Sequence, residues 1–146
     1  LSKNVKFKII GGFPTREIIN LQNHNSQIEI LGFVDDPYII LRSCICTVAP
    51  MRTGGGLQTK VLTSMAVGSL VILSSNSAEA IENAKNGHNL IIEDSAMNIS
   101  KIIHDIRNNP SEFNKIRENA KILIEKNYVL SVVNKKLINM IESQIN

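Results

Sequence analysis

Residues 48–72, VAPMRTGGGLQTKVLTSMAVGSLVI, carry the residue types and spacing best suited to chemistry in this chain. Gly54, Gly55 and Gly56 leave the backbone without Cβ atoms directly before a helix-forming run. Gln58, Thr59 and Lys60 then supply the first amides of that helix. Such amides have no intrahelical acceptor, and the aligned peptide dipoles make that end partly positive. A phosphate group is the ligand this arrangement suits. Lys60 would place a cation beside it, and reads equally as a surface lysine at a helix start. His24, His88 and His104 are scattered without metal-ligand spacing, so neither a metal nor a cofactor is expected. Cys44 and Cys46 are too close in sequence to favour a mutual disulfide and read as buried, reduced thiols. No side chain stands out as a general base.

The elements that must position this loop follow from the apolar pattern. Val5–Ile10, Ile28–Leu31, Ile45–Ala49, Leu70–Leu73 and Leu90–Ile92 are short unbroken apolar runs, the pattern of buried parallel strands. Between them the sequence predicts helices over Pro14 to Asn23, from Asp36-Pro37, over Gln58 to Val67 and over Ala78–Ala84. Asn86-Gly87 signals a turn. Ile99, Ile102, Ile103 and Ile106 share one helix face. Asn109-Pro110 should end that helix and Ser111 should cap the next, whose core face is Phe113, Ile116, Ala120 and Leu123. A last helix starts at about Leu130, its apolar face either docked on the sheet or left for a partner. Strands alternating with helices imply a Rossmann-like, doubly wound parallel α/β sheet of about five strands. The order 2-1-3-4-5 is expected, with C-terminal helices added. In that order the loop bearing Gly11 and Gly12 and the loop Pro50–Gly56 leave the strands beside the switch point, where ligands bind such sheets.

Size and composition set limits. A chain of 146 residues with 43% apolar residues is expected to be one domain with its own core, spanning 1–146. No apolar run approaches the ~20 residues of a membrane span, and no charged-then-apolar leader is recognisable after Leu1. The expectation is therefore a cytoplasmic protein. The net charge of +3 and the scarcity of aromatics (no Trp, two Tyr, four Phe) argue against nucleic acid as a partner. Lys115, Arg117, Lys121, Lys126, Lys135 and Lys136 read as the solvated faces of two helices. The sharper reading is peripheral attraction to the anionic inner face of a membrane.

Four segments in order resemble the C-terminal, donor-binding domain of GT-B fold retaining glycosyltransferases, close to family 4. FKIIGGFP resembles a strand followed by a Gly-x-Gly-Pro-like turn, and IEILGFVDDPYIIL a strand with its following helix. CTVAPMRTGGGLQTKVLTSMAVGSLVI resembles the glycine loop, "K-v-l-E" helix and next strand. NNPSEFNKIRENAKILIEKNYVLSVV resembles the C-terminal tail. The resemblance implies a nucleotide diphosphate sugar (a UDP- or GDP-sugar) as donor. Phe33 and Val34, with Asp36 nearby, would meet the nucleobase. The amides of Gln58, Thr59 and Lys60 behind Gly54–Gly56 would meet the diphosphate.

Departures from the family pattern matter as much. The glutamate that holds the ribose hydroxyls in such enzymes falls at Thr63 here, and a second family glutamate falls at Gly55. Charge-assisted bonds from a buried carboxylate contribute ~1.5–3 kcal/mol each, so weaker nucleotide affinity is expected. The resemblance also implies that the family's first strand-helix unit, with its basic diphosphate clamp, and the N-terminal acceptor-binding domain lie outside this sequence. This chain alone should then not turn over, and a sheet without that strand could pair with a second copy as a homodimer. The expected function is the donor domain of a hexosyltransferase-like retaining enzyme of polysaccharide biosynthesis, acting on a glycan or lipid-linked acceptor. The alternative is a non-catalytic nucleotide-sugar-binding or interaction module. A receiver or flavin-binding domain fits poorly: no strand ends in a phosphorylatable Asp, and aromatic stacking groups are scarce.

Overall fold

A computed structural model describes residues 5–53 and 56–145. The chain divides into two compact units, Leu1–Ile40 and Leu41–Asn146.

In the first unit β1 (Phe7–Ile10) pairs in parallel with β2 (Ile28–Gly32) across the helix α1 (Arg16–His24). The helix starts two residues after the predicted Pro14. Thr15 takes the N-cap, its side chain accepting from the Ile18 amide, so Pro14 stays outside the helical turns. The helix α2 (Pro37–Ser43) begins in this unit and ends in the second; it opens at Pro37 as predicted, and Asp36 Oδ1 accepts from the Tyr38 amide at 2.8 Å.

In the second unit β3 (Thr47–Ala49), β4 (Val71–Leu73) and β5 (Ile91–Ile92) form a parallel sheet in that order. The helices α3 (Thr59–Ala66), α4 (Ser75–Ala78), α5 (Ala96–Asn108), α6 (Asn114–Asn127) and α7 (Leu130–Ile145) complete it. β4 is buried throughout, which makes it the centre of this unit. Its Val71 and Leu73 pack with Val61 and Met65 of α3, Leu90, and Ala120, Leu123 and Ile124 of α6. The mixed α/β architecture with parallel strands is the Rossmann-like class expected from the sequence. The neighbours 2-1 and 3-4-5 are those predicted, in two sheets; the described strand pairs include none between β1 and β3.

Two helix starts differ from the sequence reading. α4 occupies Ser75–Ala78, ahead of the predicted Ala78–Ala84, because Asp94 Oδ1 accepts the Ser75 amide at 3.0 Å and fixes an earlier start. Asn83 takes a positive φ of 64° just beyond, which interrupts helix through the predicted stretch. Ser111 does not cap α6. Pro110–Phe113 form a 3-10 turn that runs directly into it. The Asn86-Gly87 turn is present: Gly87 N–H donates to Leu90 O at 2.8 Å and Asn86 Oδ1 accepts from the Ile92 amide at 2.8 Å. Leu130, Leu137 and Met140 of α7 stay exposed, so this face is not docked on the sheet.

Candidate functional site

The chain leaves β3 at Pro50 and enters the glycine loop. Gly54 and Gly55 lie outside the described residues. Gly56 has φ +99°, a conformation that L side chains rarely adopt, and a Cβ there would meet nothing within 4 Å. Backbone conformation, not space, thus favours glycine at that position. Gln58 follows as the N-cap of α3, and the amides of Val61 and Leu62 both donate to its carbonyl, at 3.0 and 3.2 Å. The amides of Gln58, Thr59 and Lys60 precede these first helical bonds. Gln58 makes no side-chain cap bond, so the oxygen that Ser, Thr, Asp or Asn would offer them is missing. Its Nε2 donates instead to Ser77 Oγ at 3.1 Å.

The segment that forms this helix end carries charge of one sign. Residues 48–72 include Arg52 and Lys60 and no Asp or Glu. Both basic side chains are exposed, and among the described residues neither forms an ion pair. Lys60 Nζ lies 3.6 Å from Met51 Sδ, a weak acceptor that leaves the ammonium charge uncompensated. Thr63 is half-buried one turn further along α3. Arg52, Ser74 and Ser77 escaped the sequence reading. Arg52 sits within the motif itself, but Ser-Ser-Asn-Ser after a strand reads as an ordinary turn.

The remaining candidates belong to the first unit. Gly11 N–H donates to Gly32 O at 2.9 Å, extending the β1–β2 ladder by one bond past Ile10, and Gly12 is exposed beside it. Phe33 follows Gly32 directly and is 83% exposed, whereas Val34 is half-buried. The Asp36 carboxylate is exposed yet already engaged by the first turn of α2. Among the described residues no group of three His, Cys, Asp or Glu could hold a metal ion, and no helix is long and apolar enough to cross a membrane.

Residues 1–109 match the family described as "Glycosyl transferases group 1". The chain belongs to that family. No curated protein matches it. Among solved structures, this group 1 member is similar to Anabaena HepE in complex with UDP, at 15% identity and a TM-score of 0.81. That match covers 97% of this chain and 42% of HepE. The HepE complex with UDP-glucose matches at 14% identity with a TM-score of 0.82, over the same shares of the two chains. The C-terminal domain of the group 1 glycosyl transferase LpcC from Francisella tularensis matches at 19% identity with a TM-score of 0.62. It covers 78% of this chain and 60% of that one. The fold of this family member is therefore that of the C-terminal half of a GT-B glycosyltransferase. The chain spans about two fifths of the HepE chain.

Proposed function

We propose that residues 1–146 are one Rossmann-like, nucleotide-sugar-binding half of a retaining glycosyltransferase of the family 4 type. The reaction is transfer of a sugar from a nucleotide diphosphate sugar to a glycan or lipid-linked acceptor held by an N-terminal domain. The observation that carries this reading is the start of α3. It is an N-terminus without a side-chain cap, opening from a glycine loop, flanked by Arg52 and Lys60, with no acidic residue in the segment. The seat for the diphosphate comprises Gly54, Gly55, Gly56, Gln58, Thr59 and Lys60, with Thr63 at the ribose position. Phe33, Val34 and Asp36 are the nucleobase contacts, and Gly11 and Gly12 form a cleft loop. As the sugar departs, negative charge grows on the diphosphate, and fixed amides with Lys60 stabilise it there without reorganising. In a retaining transferase the leaving phosphate itself can take the acceptor proton, so no side chain is assigned as general base. Similar structures that hold UDP and UDP-glucose favour a uridine nucleotide.

The test is a titration of this chain with UDP, GDP and UDP-glucose, followed by amide chemical shifts. Resonances of Gly56, Gln58, Thr59, Lys60, Phe33 and Val34 should move. No movement at millimolar nucleotide rejects donor binding by this chain. Thr63 at the family's glutamate position favours a second reading, a module that holds a nucleotide sugar without transferring it. A full-length protein that binds UDP-glucose yet neither hydrolyses nor transfers it would support that reading.

A further inference from the structure

Two buried serines at the start of α4 tie down both flanks of the glycine loop. Ser74 Oγ donates to the Met51 carbonyl at 2.7 Å, before the glycines. Ser77 Oγ receives the Gln58 Nε2 proton at 3.1 Å, after them. The two hydroxyls are 3.2 Å apart, and Ser74 and Ser77 are only 5% and 3% exposed. A hydroxyl carries one proton. That of Ser74 has both the Met51 carbonyl at 2.7 Å and Ser77 Oγ at 3.2 Å as acceptors, so Ser74 links the leading flank of the loop to the serine that holds its trailing flank.

This network comes at the expense of two helix caps. Ser74 is the N-cap of α4 and Gln58 the N-cap of α3, yet neither side chain makes a cap bond to its own helix. Among the described residues Gln58 Oε1 is buried with no partner, a costly state for a carboxamide oxygen. The base of the tether is fixed in turn. The Ser74 amide donates to Ala49 O at 3.4 Å, beside the β3–β4 pair, and the Ser75 amide donates to Asp94 Oδ1 at 3.0 Å.

We infer that Ser74 and Ser77 are positioning residues that fix the direction of the Gln58, Thr59 and Lys60 amides by holding the two ends of the loop to α4. The inference rests on the reading of this helix end as the diphosphate seat. Neither serine touches the ligand; they act through Met51 and Gln58.

The experiment compares Ser74→Ala, Ser77→Ala and Ser74→Thr with the parent chain, each checked for folding by circular dichroism and urea unfolding. In both alanine variants the Gln58–Lys60 amide resonances should shift in the free protein, and the Kd for UDP should rise about tenfold, the loss expected for misaligned bonds to a charged group. Ser74→Thr, which keeps the hydroxyl, should restore both. Folded alanine variants with unmoved resonances and parental Kd would overturn the inference, even with a lowered urea midpoint, because a merely structural hydroxyl moves the midpoint alone. Should Ser74→Ala fail to fold, Ser77→Ala decides on the same two readouts. Should the parent not bind UDP, the donor reading falls by itself. The free-protein resonances of Gln58–Lys60 then still decide for or against the tether.

Discussion

In the proposed donor site, Thr63 takes the position at which a carboxylate would set the grip on a ribose. Its hydroxyl can offer one neutral bond, whereas a glutamate there could accept from two hydroxyls at once. Thr63→Glu is therefore expected to lower the Kd for UDP about tenfold or more. Calorimetric titration of the two proteins checks this, and unchanged affinity removes the ribose role from position 63. Cys46 makes a second residue-scale case. Burial, and secondarily the neighbouring Cys44, pushes its thiol from 9.0 up to about 11, against a smaller opposing pull from Arg117. The folded state thus holds a proton that the unfolded chain releases earlier. The associated stability is complete below pH 9 and is lost as pH rises towards 11. Urea midpoints measured across that window should fall, and Cys46→Ala should flatten part of the decline. The sequence expects buried, reduced thiols at Cys44 and Cys46; in the structure both are free but only half-buried. The serine tether was not legible, because a hydroxyl's partner 23 residues away depends on tertiary packing rather than on spacing.

At the scale of elements, α3 is held at both ends. Its C-terminus closes with Gly68 at φ +84°, the Gly68 amide bonding Met65 O and the Ser69 amide bonding Ser64 O, each at 3.0 Å. This paired closure needs a left-handed residue after the cap. A Cβ on Gly68 would come within 2.5 Å of Lys121 Cε, the flexible part of a lysine side chain that can move aside. Backbone strain then decides the cost. Gly68→Ala should destabilise the protein by about 1–2 kcal/mol, read as a lowered urea midpoint with unchanged slope. The Gly signal after an amphipathic run made this helix end readable from sequence. The start of α4 was not readable, because a carboxylate 19 residues away, on Asp94, sets it. Ser111 likewise looked like a cap, yet Pro110 sits at the start of a 3-10 turn that continues into α6.

For the molecule as a whole, the core of the second unit gathers around β4. Leu73 has no exposed surface and packs among side chains from α3 and α6. Leu73→Ala should cost about 2–5 kcal/mol, measured by urea unfolding, since close-packed neighbours cannot fully collapse into the space left. The alternation of apolar runs with amphipathic stretches made the α/β class and the five described strands legible, although only β4 has the expected burial on both faces throughout, and β1 and β2 hold no buried residue. The joining of strands into sheets was less legible. Pairing between β1 and β3 was inferred from a general ordering rule, and no residue in either strand encodes it.

The Asn86-Gly87 turn bears on how this protein ages. Asn-Gly sequences deamidate when the glycine nitrogen attacks the asparagine side-chain carbon. In the closed turn that nitrogen's hydrogen is engaged by Leu90 O and the carboxamide oxygen by the Ile92 amide. The reaction must wait for the turn to open. Acidic charge variants accumulating at position 86 would then be a chemical clock, counting the time each molecule has spent with this turn open.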